Sequence, residues 1–390
     1  MVALGTMCSA FPVFLTGALG VQLADEVGLS ATEIGLAMGA SFAVAALLSA
    51  PMGRVAERLG PRLGFRLGLS VSGATMLAVA AFGRSFWQFC VILAVAGAAN
   101  ALNQPSANLM LTTHIGADRL GFALATKQSG MPAAALLGGA AVPAIALTVG
   151  WQWAYVAGAA IVAAALVCLP VDAHGRAERH FSTTASGARR AARPDLGVPL
   201  LVLYATVGML GSTSAGAMVG FVTSGAEASG LDAGSAGLVL SVGSFVGVVS
   251  RLFQGWQVDR HGILPIQRLV WLYGLGGLGT LLLAVDVPLT YVIAPLPAFA
   301  FGWAWPGLFN LSVVRNNPSA PASATGISQV GVFVGAAVGP ALGGLIIDTA
   351  GYRALWLFGA STLLLGCALA VYLRTRIRAA SGLVAPAIAP

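Results

Sequence analysis

The chain contains two similar halves, and the clearest sign of this is a glycine-rich segment that occurs twice. Residues Gly53–Gly60 reappear as Gly255–Gly262, with an acid–arginine pair at the same place in each copy. The match extends upstream without a gap, so that Gly28–Gly60 corresponds to Gly230–Gly262. A period of about 200 residues is far too long for a solenoid unit. It predicts two domains of one fold, joined in tandem.

Composition places both domains in a lipid bilayer. Of the 390 residues, 57% are hydrophobic and only 8% are charged, and the mean hydropathy is +0.87. A soluble domain of this size could not cover its surface with so few charges. We therefore predict an all-α membrane protein with twelve transmembrane helices in two pseudo-symmetric six-helix bundles, each helix being about 20 residues long. Two homologous halves in a membrane favour a transporter whose site lies at their interface.

The apolar runs give approximate positions for twelve spans. These lie near residues 2–23, 33–53, 64–83, 87–112, 121–149, 152–171, 197–222, 234–256, 265–285, 288–313, 323–347 and 354–373. A polar, arginine-containing stretch separates the first six from the last six. The predicted domains are an N-terminal bundle over 1–171, a cytoplasmic linker over 172–196, a C-terminal bundle over 197–373 and a cytoplasmic tail over 374–390.

The distribution of cations predicts the orientation of the bundle. If the N-terminus is cytoplasmic, sixteen of the twenty basic residues lie in cytoplasmic segments, and only Arg84 and Arg353 lie on the opposite side. This asymmetry follows the positive-inside rule. We expect a multi-pass protein of a bacterial inner membrane with both termini in the cytoplasm. The same asymmetry accounts for the net charge of +7 without a nucleic-acid partner.

The repeated segment lies in two cytoplasmic loops, between spans 2 and 3 and between spans 8 and 9. It resembles the signature loop of the major facilitator superfamily, Gly-x-x-x-Asp-Arg-x-Gly-Arg-[Arg/Lys], although the first copy has a glutamate in place of the aspartate. The resemblance implies the major facilitator fold and a conformational-gating role for the motif, in which the acid–arginine pair holds neighbouring helix ends until the halves rock. The residues concerned are Gly53, Glu57, Arg58 and Gly60, and Gly255, Asp259, Arg260 and Gly262.

A further glycine-rich motif, Gly335–Gly344, lies in span 11 and adds Gly339 and Pro340 to the predicted gating residues. It resembles the antiporter motif of the drug/proton branch of the superfamily, which normally lies in span 5. We interpret it as a small-residue surface that packs tightly against span 2. The arginine that drug/proton antiporters carry in span 4 is also missing here. These two differences argue against multidrug efflux by drug/proton antiport, which is kept as the alternative function because it uses the same fold.

Ionisable side chains at membrane depth are informative because each costs about 2.5–3.5 kcal/mol near the bilayer centre. All thirteen acids and all four histidines map to loops or span ends. Two cations remain, Lys127 in span 5 and Arg251 in span 8. For each, two interpretations are open. It binds substrate in a cavity, or its stem lies in the membrane while its charged head reaches cytosolic water.

The segment Ser244–Gly255 resembles span 8 of monocarboxylate transporters, where an arginine four residues before the glycine binds the substrate carboxylate. Oxalate/formate exchangers similarly use intramembrane cations for carboxylates. The resemblance implies anion binding by Arg251. The acid that monocarboxylate transporters place one turn earlier is Gly247 here. Without that acid, the open mechanisms are anion exchange, uniport, or symport in which Lys127 gains and loses the coupled proton.

Other candidate substrate-binding residues lie on spans 4, 7 and 10, which line the cavity in this superfamily. A polar stripe on span 4 could bind substrate or staple helices together, and both roles are open. The candidates besides Lys127 and Arg251 are Asn100, Gln104, Asn103, Tyr204 and Trp303.

Together these observations predict a secondary active transporter that moves a small organic anion of the carboxylate type by alternating access. The chain shows no Ser–His pair or metal-ligand cluster at membrane depth, and its four cysteines have no metal-ligand spacing. We therefore expect no enzymatic activity and no cofactor. The expected partners are an anionic small molecule, a co-transported proton in the case of symport, and the lipid bilayer. We expect a monomer.

Overall fold

The computed structural model describes residues 2–112, 119–169 and 194–382. Within these ranges the regular structure is helical and contains no strand. Residues 172–193 of the predicted linker, and residues 383–390 of the predicted tail, lie outside the described residues.

The first bundle contains helices α1 to α6, one for each predicted span. Their bounds are Val2–Ala18 and Gly20–Val27 (α1), Ala31–Leu59 (α2), Pro61–Phe82 (α3), Phe86–Thr112 (α4), Leu120–Gln128, Gly130–Ala141, Val142–Ala146 and Leu147–Val149 (α5), and Trp151–Cys168 (α6). The two parts of α1 meet at a bend of 59°.

The second bundle contains α7 to α12. Their bounds are Val198–Ala228 (α7), Ala233–His261 (α8), Pro265–Leu283 (α9), Pro288–Ile293, Pro295–Pro297, Ala298–Gly302 and Pro306–Arg315 (α10), 321–350 (α11) and 352–382 (α12). The last two form one continuous segment, Pro321–Gly382, which is interrupted at Gly351 by a φ of 79°.

Ten of the described helices are long and apolar enough to cross a membrane, and the bent pair of α1 makes an eleventh. The segment Pro321–Gly382 has 62 residues, whereas one membrane crossing needs about 20. The non-helical backbone at Gly351 therefore divides it into two spans. The all-helical membrane fold predicted from the sequence is confirmed. The end of the bundle where α1 begins and α12 ends is called the terminal face below, and the opposite end the remote face.

The two halves share their turns as well as their lengths. The glycines with positive φ fall at matching places in the repeat, where the left-handed backbone ends one helix before the next begins. They are Gly28 and Gly230, Gly60 and Gly262, and Gly150 and Gly351. The helices that follow the first pair also begin alike, since Ser30 and Asp232 each accept a hydrogen bond from a backbone N–H three residues later.

Helices α5 and α8 form one seam between the halves, and they touch along most of their length. Near the remote face, the hydroxyl of Ser241 donates to the carbonyl of Leu136 at 2.9 Å. Near the terminal face, a Cβ added to Gly255 would lie 2.6 Å from the Cβ of Ala125. Only glycine at this position permits so close an approach of two helices.

Helices α2 and α11 form the second seam, which is closed at the remote face. There the backbone N–H of Thr32 donates to the carboxylate of Asp348 at 2.8 Å, and a Cβ added to Gly39 would lie 2.7 Å from the carbonyl oxygen of Ala337. Nearer the terminal face, a Cβ on Gly53 would meet no described atom within 4 Å. The second seam is therefore packed over one half of its length, in contrast to the first.

The glycine motif of α11 divides its contacts between two helices. Gly344 packs against Ala31 of α2, and Pro340 of α11 against Gly35 of α2, as predicted. Gly335 and Gly339 instead face α7, where an added Cβ would clash with the backbone of Met209 and of Thr213. The predicted packing of span 11 against span 2 is therefore present, while the first two glycines of the motif pack against α7. Gly335 and Gly339 are about one turn apart and share a helix face, whereas Gly344 lies on another face.

Candidate functional site: a central cavity between the halves

A cavity lies between the two bundles, at the level where the packed part of the second seam ends. Residues from seven helices line it. Its apolar wall consists of Phe14, Met38, Phe42, Met131, Ala215, Gly216, Trp303, Trp305, Pro306, Phe309, Val332, Phe333 and Ala336, and its polar groups are Gln104, Gln128, Ser212, Asn310 and Gln329. Among these described residues none is charged. The cavity suits a molecule with an apolar body and a polar group that accepts or donates hydrogen bonds.

Four side-chain amides and the hydroxyl of Ser212 form the polar part of the wall. Gln329 donates to Asn310 at 2.9 Å across α11 and α10, and Gln104 donates to a neighbour on its own helix, Asn100, at 3.4 Å. The side-chain oxygen of Gln128 is buried and has no hydrogen-bond partner. Gln128 and Gln329 occupy matching places in the two halves of the sequence. The amides therefore approach the cavity from both bundles.

Lys127 lies behind this wall. Its side chain is 4% exposed, and its ammonium group donates to the side-chain oxygen of Asn108 on α4 at 2.5 Å. The charged head therefore does not reach water at the terminal face, and the snorkelling interpretation does not hold. Lys127 precedes Gln128 in the chain but is not part of the cavity lining.

Arg251 also lies one layer behind the wall, and it is 1% exposed. Its guanidinium donates to two backbone carbonyls that belong to different halves. Nε and one terminal nitrogen bind the carbonyl of Trp303 on α10 at 3.0 and 2.5 Å, and the other terminal nitrogen binds the carbonyl of Gln128 on α5. The guanidinium also lies 5.0 Å from the centroid of the Trp303 ring, which makes a cation–π contact. Snorkelling is excluded here too, and the donors that we expected to face substrate face the backbone.

Comparison with known protein families identifies the fold. A family model described as Major Facilitator Superfamily matches residues 2–315, which is well over half of the 390 residues. The chain belongs to the major facilitator superfamily. No curated protein matches it significantly. As a superfamily member the protein is a multi-pass secondary transporter of small molecules.

Of the remaining predicted substrate-binding residues, the structure brings Gln104 and Trp303 of the transporter to the cavity. Asn100 lies behind Gln104 and accepts a hydrogen bond from Ser9 of α1 at 3.4 Å. Asn103 points away from the cavity, because its side chain fills the space over Gly68 of α3.

Tyr204 is likewise remote from the cavity lining. Its hydroxyl shares a 2.7 Å hydrogen bond with that of Ser312 and accepts another from Asn316 at 3.2 Å. These contacts hold α7 to α10 inside the second bundle, so the structure favours a packing role for Tyr204. The rotation of each helix about its axis, which the sequence pattern does not define, decides these outcomes.

The second copy of the repeated loop motif connects the two halves of the transporter at the terminal face. The carboxylate of Asp259 accepts hydrogen bonds from the backbone N–H groups of Gly121 and Phe122, at 3.2 and 2.7 Å, where α5 begins. It also lies 3.7 Å from Arg315. In the first copy, by contrast, Glu57 makes no hydrogen bond or ion pair with any described residue. In this structure the acid of the second copy is therefore bound across the two halves, whereas the acid of the first copy binds no described residue.

Sequence reasoning missed most of the cavity wall. The aromatic residues were indistinguishable from lipid-facing ones, since lipid and packed protein are both apolar. The amides of Gln128 and Gln329 did carry a signal, because they are polar, lie within spans and occur at matching places in the repeat. Polar side chains at membrane depth are expensive unless they serve packing or a site.

Proposed function

We propose that the protein is a secondary active transporter for a small organic anion with an apolar body, of the carboxylate type. The observation that carries this proposal is the charge around the cavity. No acid lines it, while the side chains of Lys127 and Arg251 are buried directly behind it with no carboxylate partner among the described residues. The substrate would pass between the faces by alternating access, with the terminal face cytoplasmic.

The two cations act on the cavity through its wall. At an effective dielectric constant of about 20 and an assumed separation of about 8 Å, a buried cation attracts a unit negative charge by about 2 kcal/mol. Each 1.4 kcal/mol is a factor of ten in affinity, so one such cation favours an anion over its neutral analogue by roughly 30-fold. A substrate cation would be disfavoured by a similar factor. The wall amides would then hydrogen-bond the carboxylate, and the aromatic side chains would contact the apolar body.

Drug/proton antiport remains the second candidate, because a wall rich in phenylalanine, tryptophan and methionine also fits lipophilic drugs. For cationic drugs the cavity offers no acid, and the cations behind it oppose binding. Neutral drugs would be accommodated. The two functions therefore differ in their dependence on substrate charge.

Thermal-shift screening of the purified transporter tests the proposal. The panel pairs each carboxylate, aromatic or aliphatic, with its uncharged amide and with a lipophilic cation of similar size. We expect the carboxylates to stabilise the protein more than their amides, and the best carboxylate to exchange in reconstituted liposomes. The charge variant is Lys127→Met, and the matched control is Arg84→Met, which removes an exposed cation at the remote face.

Lys127→Met should weaken carboxylate binding by about tenfold or more, whereas Arg84→Met should leave it unchanged. Equal stabilisation by acids and amides, with no loss in Lys127→Met, would refute an anionic substrate. Stabilisation by lipophilic cations in the wild type and in Lys127→Met alike would favour efflux.

A further inference from the structure

The contacts of Arg251 suggest a role that differs from direct substrate binding. Three of its nitrogens donate to backbone carbonyls, and the face of its guanidinium lies over the Trp303 ring. Arginine carries five N–H donors in a rigid planar fork. At 1% exposure, the fork is enclosed by the protein atoms that it binds.

The carbonyl of Gln128 is available to Arg251 for a covalent reason. In a regular helix this oxygen would accept from the N–H four residues later, which here is Pro132. Proline has no N–H, so the helix itself leaves the oxygen without a donor. The helix continues past this point, since the N–H of Ala133 donates to Ser129 at 3.1 Å. The missing N–H donor thus affects one carbonyl, that of Gln128.

The carbonyl of Trp303 is available because α10 is interrupted there. Residues 303–305 separate the segment Ala298–Gly302 from Pro306–Arg315 and have no helical assignment. An unpaired carbonyl inside a membrane protein costs several kcal/mol, so a donor must reach it. Arg251 donates to both carbonyls, one beside a proline within α5 and one at the interruption of α10.

These two carbonyls belong to residues that line the cavity, and they come from different halves. Gln128 contributes to the wall from the first bundle and Trp303 from the second. The Trp303 ring also packs edge-on against Phe14 of the first bundle, with ring centroids 5.7 Å apart. A displacement of Arg251 would therefore alter the wall on both sides.

We propose that Arg251 is a positioning residue that clasps α5 to α10 across the cavity wall, and that the missing N–H of Pro132 creates its attachment point on α5. The clasp holds the Gln128 amide and the Trp303 ring in register in the conformation described here. The bond to Gln128 must break when the terminal-face ends of α5 and α10 separate. This role holds for an anionic or a neutral substrate, so it does not depend on the proposed substrate class.

A conformational measurement tests the clasp without a known substrate. Spin labels at two exposed positions, Phe122 at the start of α5 and Pro318 just after α10, report the distance between these helix ends by pulsed electron resonance. Pro132→Ala restores the N–H that competes for the Gln128 carbonyl and leaves every charge in place. We expect it to raise the population with the longer distance by about tenfold or more. Pro143→Ala, which alters another proline of α5, is the matched control and should leave the distances unchanged.

A double-mutant cycle separates the clasp from general destabilisation. Arg251→Gln should raise the long-distance population at least as much as Pro132→Ala does. The double variant should not exceed Arg251→Gln, because the bond to Gln128 that Pro132→Ala weakens is already absent in Arg251→Gln. Arg251→Lys keeps the charge but lacks the fork, so it should restore only part of the short-distance population. If Arg251→Gln does not fold, Pro132→Ala alone decides. Wild-type distances in Pro132→Ala, or additive shifts in the double variant, would overturn the proposal.

Discussion

Asp259→Ala should release the start of α5 from the second bundle. The carboxylate of Asp259 accepts from two backbone N–H groups, those of Gly121 and Phe122. These are among the N–H groups of a helix start that have no partner within the helix itself. Alanine leaves them to water and removes a negative charge from the positive end of the helix dipole.

The magnitude follows from the two hydrogen bonds. A hydrogen bond to a charged group contributes about 1.5–3 kcal/mol, and the side chain of Asp259 is 12% exposed, so some of this is lost to solvent screening. We therefore expect about 2–4 kcal/mol for the pair. At 1.4 kcal/mol per factor of ten, the opening equilibrium at the start of α5 should rise by roughly 30-fold or more.

Hydrogen–deuterium exchange measures these two amides directly. Exchange in the peptide that begins α5 should become faster in Asp259→Ala by about the same factor, while the core of α7 keeps its protection. The matched control is Glu57→Ala, the same change in the first copy of the motif. Because Glu57 binds no described partner, this variant should exchange like the wild type at both α5 and α11. Unchanged protection of α5 in Asp259→Ala, or equal deprotection of α5 in both variants, would contradict this role of Asp259.

Three further substitutions probe packing, a buried polar contact and pH dependence. Gly35→Ala places a methyl group against the backbone of α11 and should lower the melting temperature in detergent, as overpacking costs about 1–3 kcal/mol, whereas Gly53→Ala meets open space and should be neutral or stabilising. Tyr291→Phe removes the hydroxyl that accepts from the Trp356 indole at 2.7 Å and should cost about 1–3 kcal/mol in unfolding free energy without changing ligand binding at the cavity. Hydrogen bonds from Ser319, in the loop before α11, hold the pKa of the Asp195 carboxyl below its ordinary value. The contribution of ionised Asp195 to stability is therefore present at neutral pH and is lost as the pH falls through that lowered pKa. A melting-temperature series against pH should show this loss in the wild type and not in Asp195→Asn.

Most of the fold prediction rested on the internal repeat of the sequence. Glycines that end helices with positive φ, and apolar runs of bilayer length, are local properties, so the twelve spans could be placed without any tertiary information. The interruption of α10 at residues 303–305 was not predicted, because it depends on Arg251, a residue of another helix, to bind the carbonyl that the interruption frees.

The site was harder to predict because it depends on where side chains point. Lys127 and Arg251 were identified only because a charged side chain at membrane depth is energetically costly and usually has a function. That argument places them at depth but does not say which partner each one faces. One clue was present in the sequence, since Pro132 predicts an unpaired carbonyl at Gln128. The donor that reaches it lies on a helix more than a hundred residues away.

The unequal seams between the halves determine where the molecule can be held shut. A chemical cross-link across α5 and α8 near the terminal face would join residues that are already in contact. It would leave the terminal-face ends of α2 and α11 able to approach and separate while the seam between α5 and α8 stays closed. The same cross-link between the terminal-face ends of α2 and α11 would hold the second seam closed at that face. A binder raised against these two helix ends would therefore report, and could arrest, the step at which the substrate is exchanged with the solution at that face.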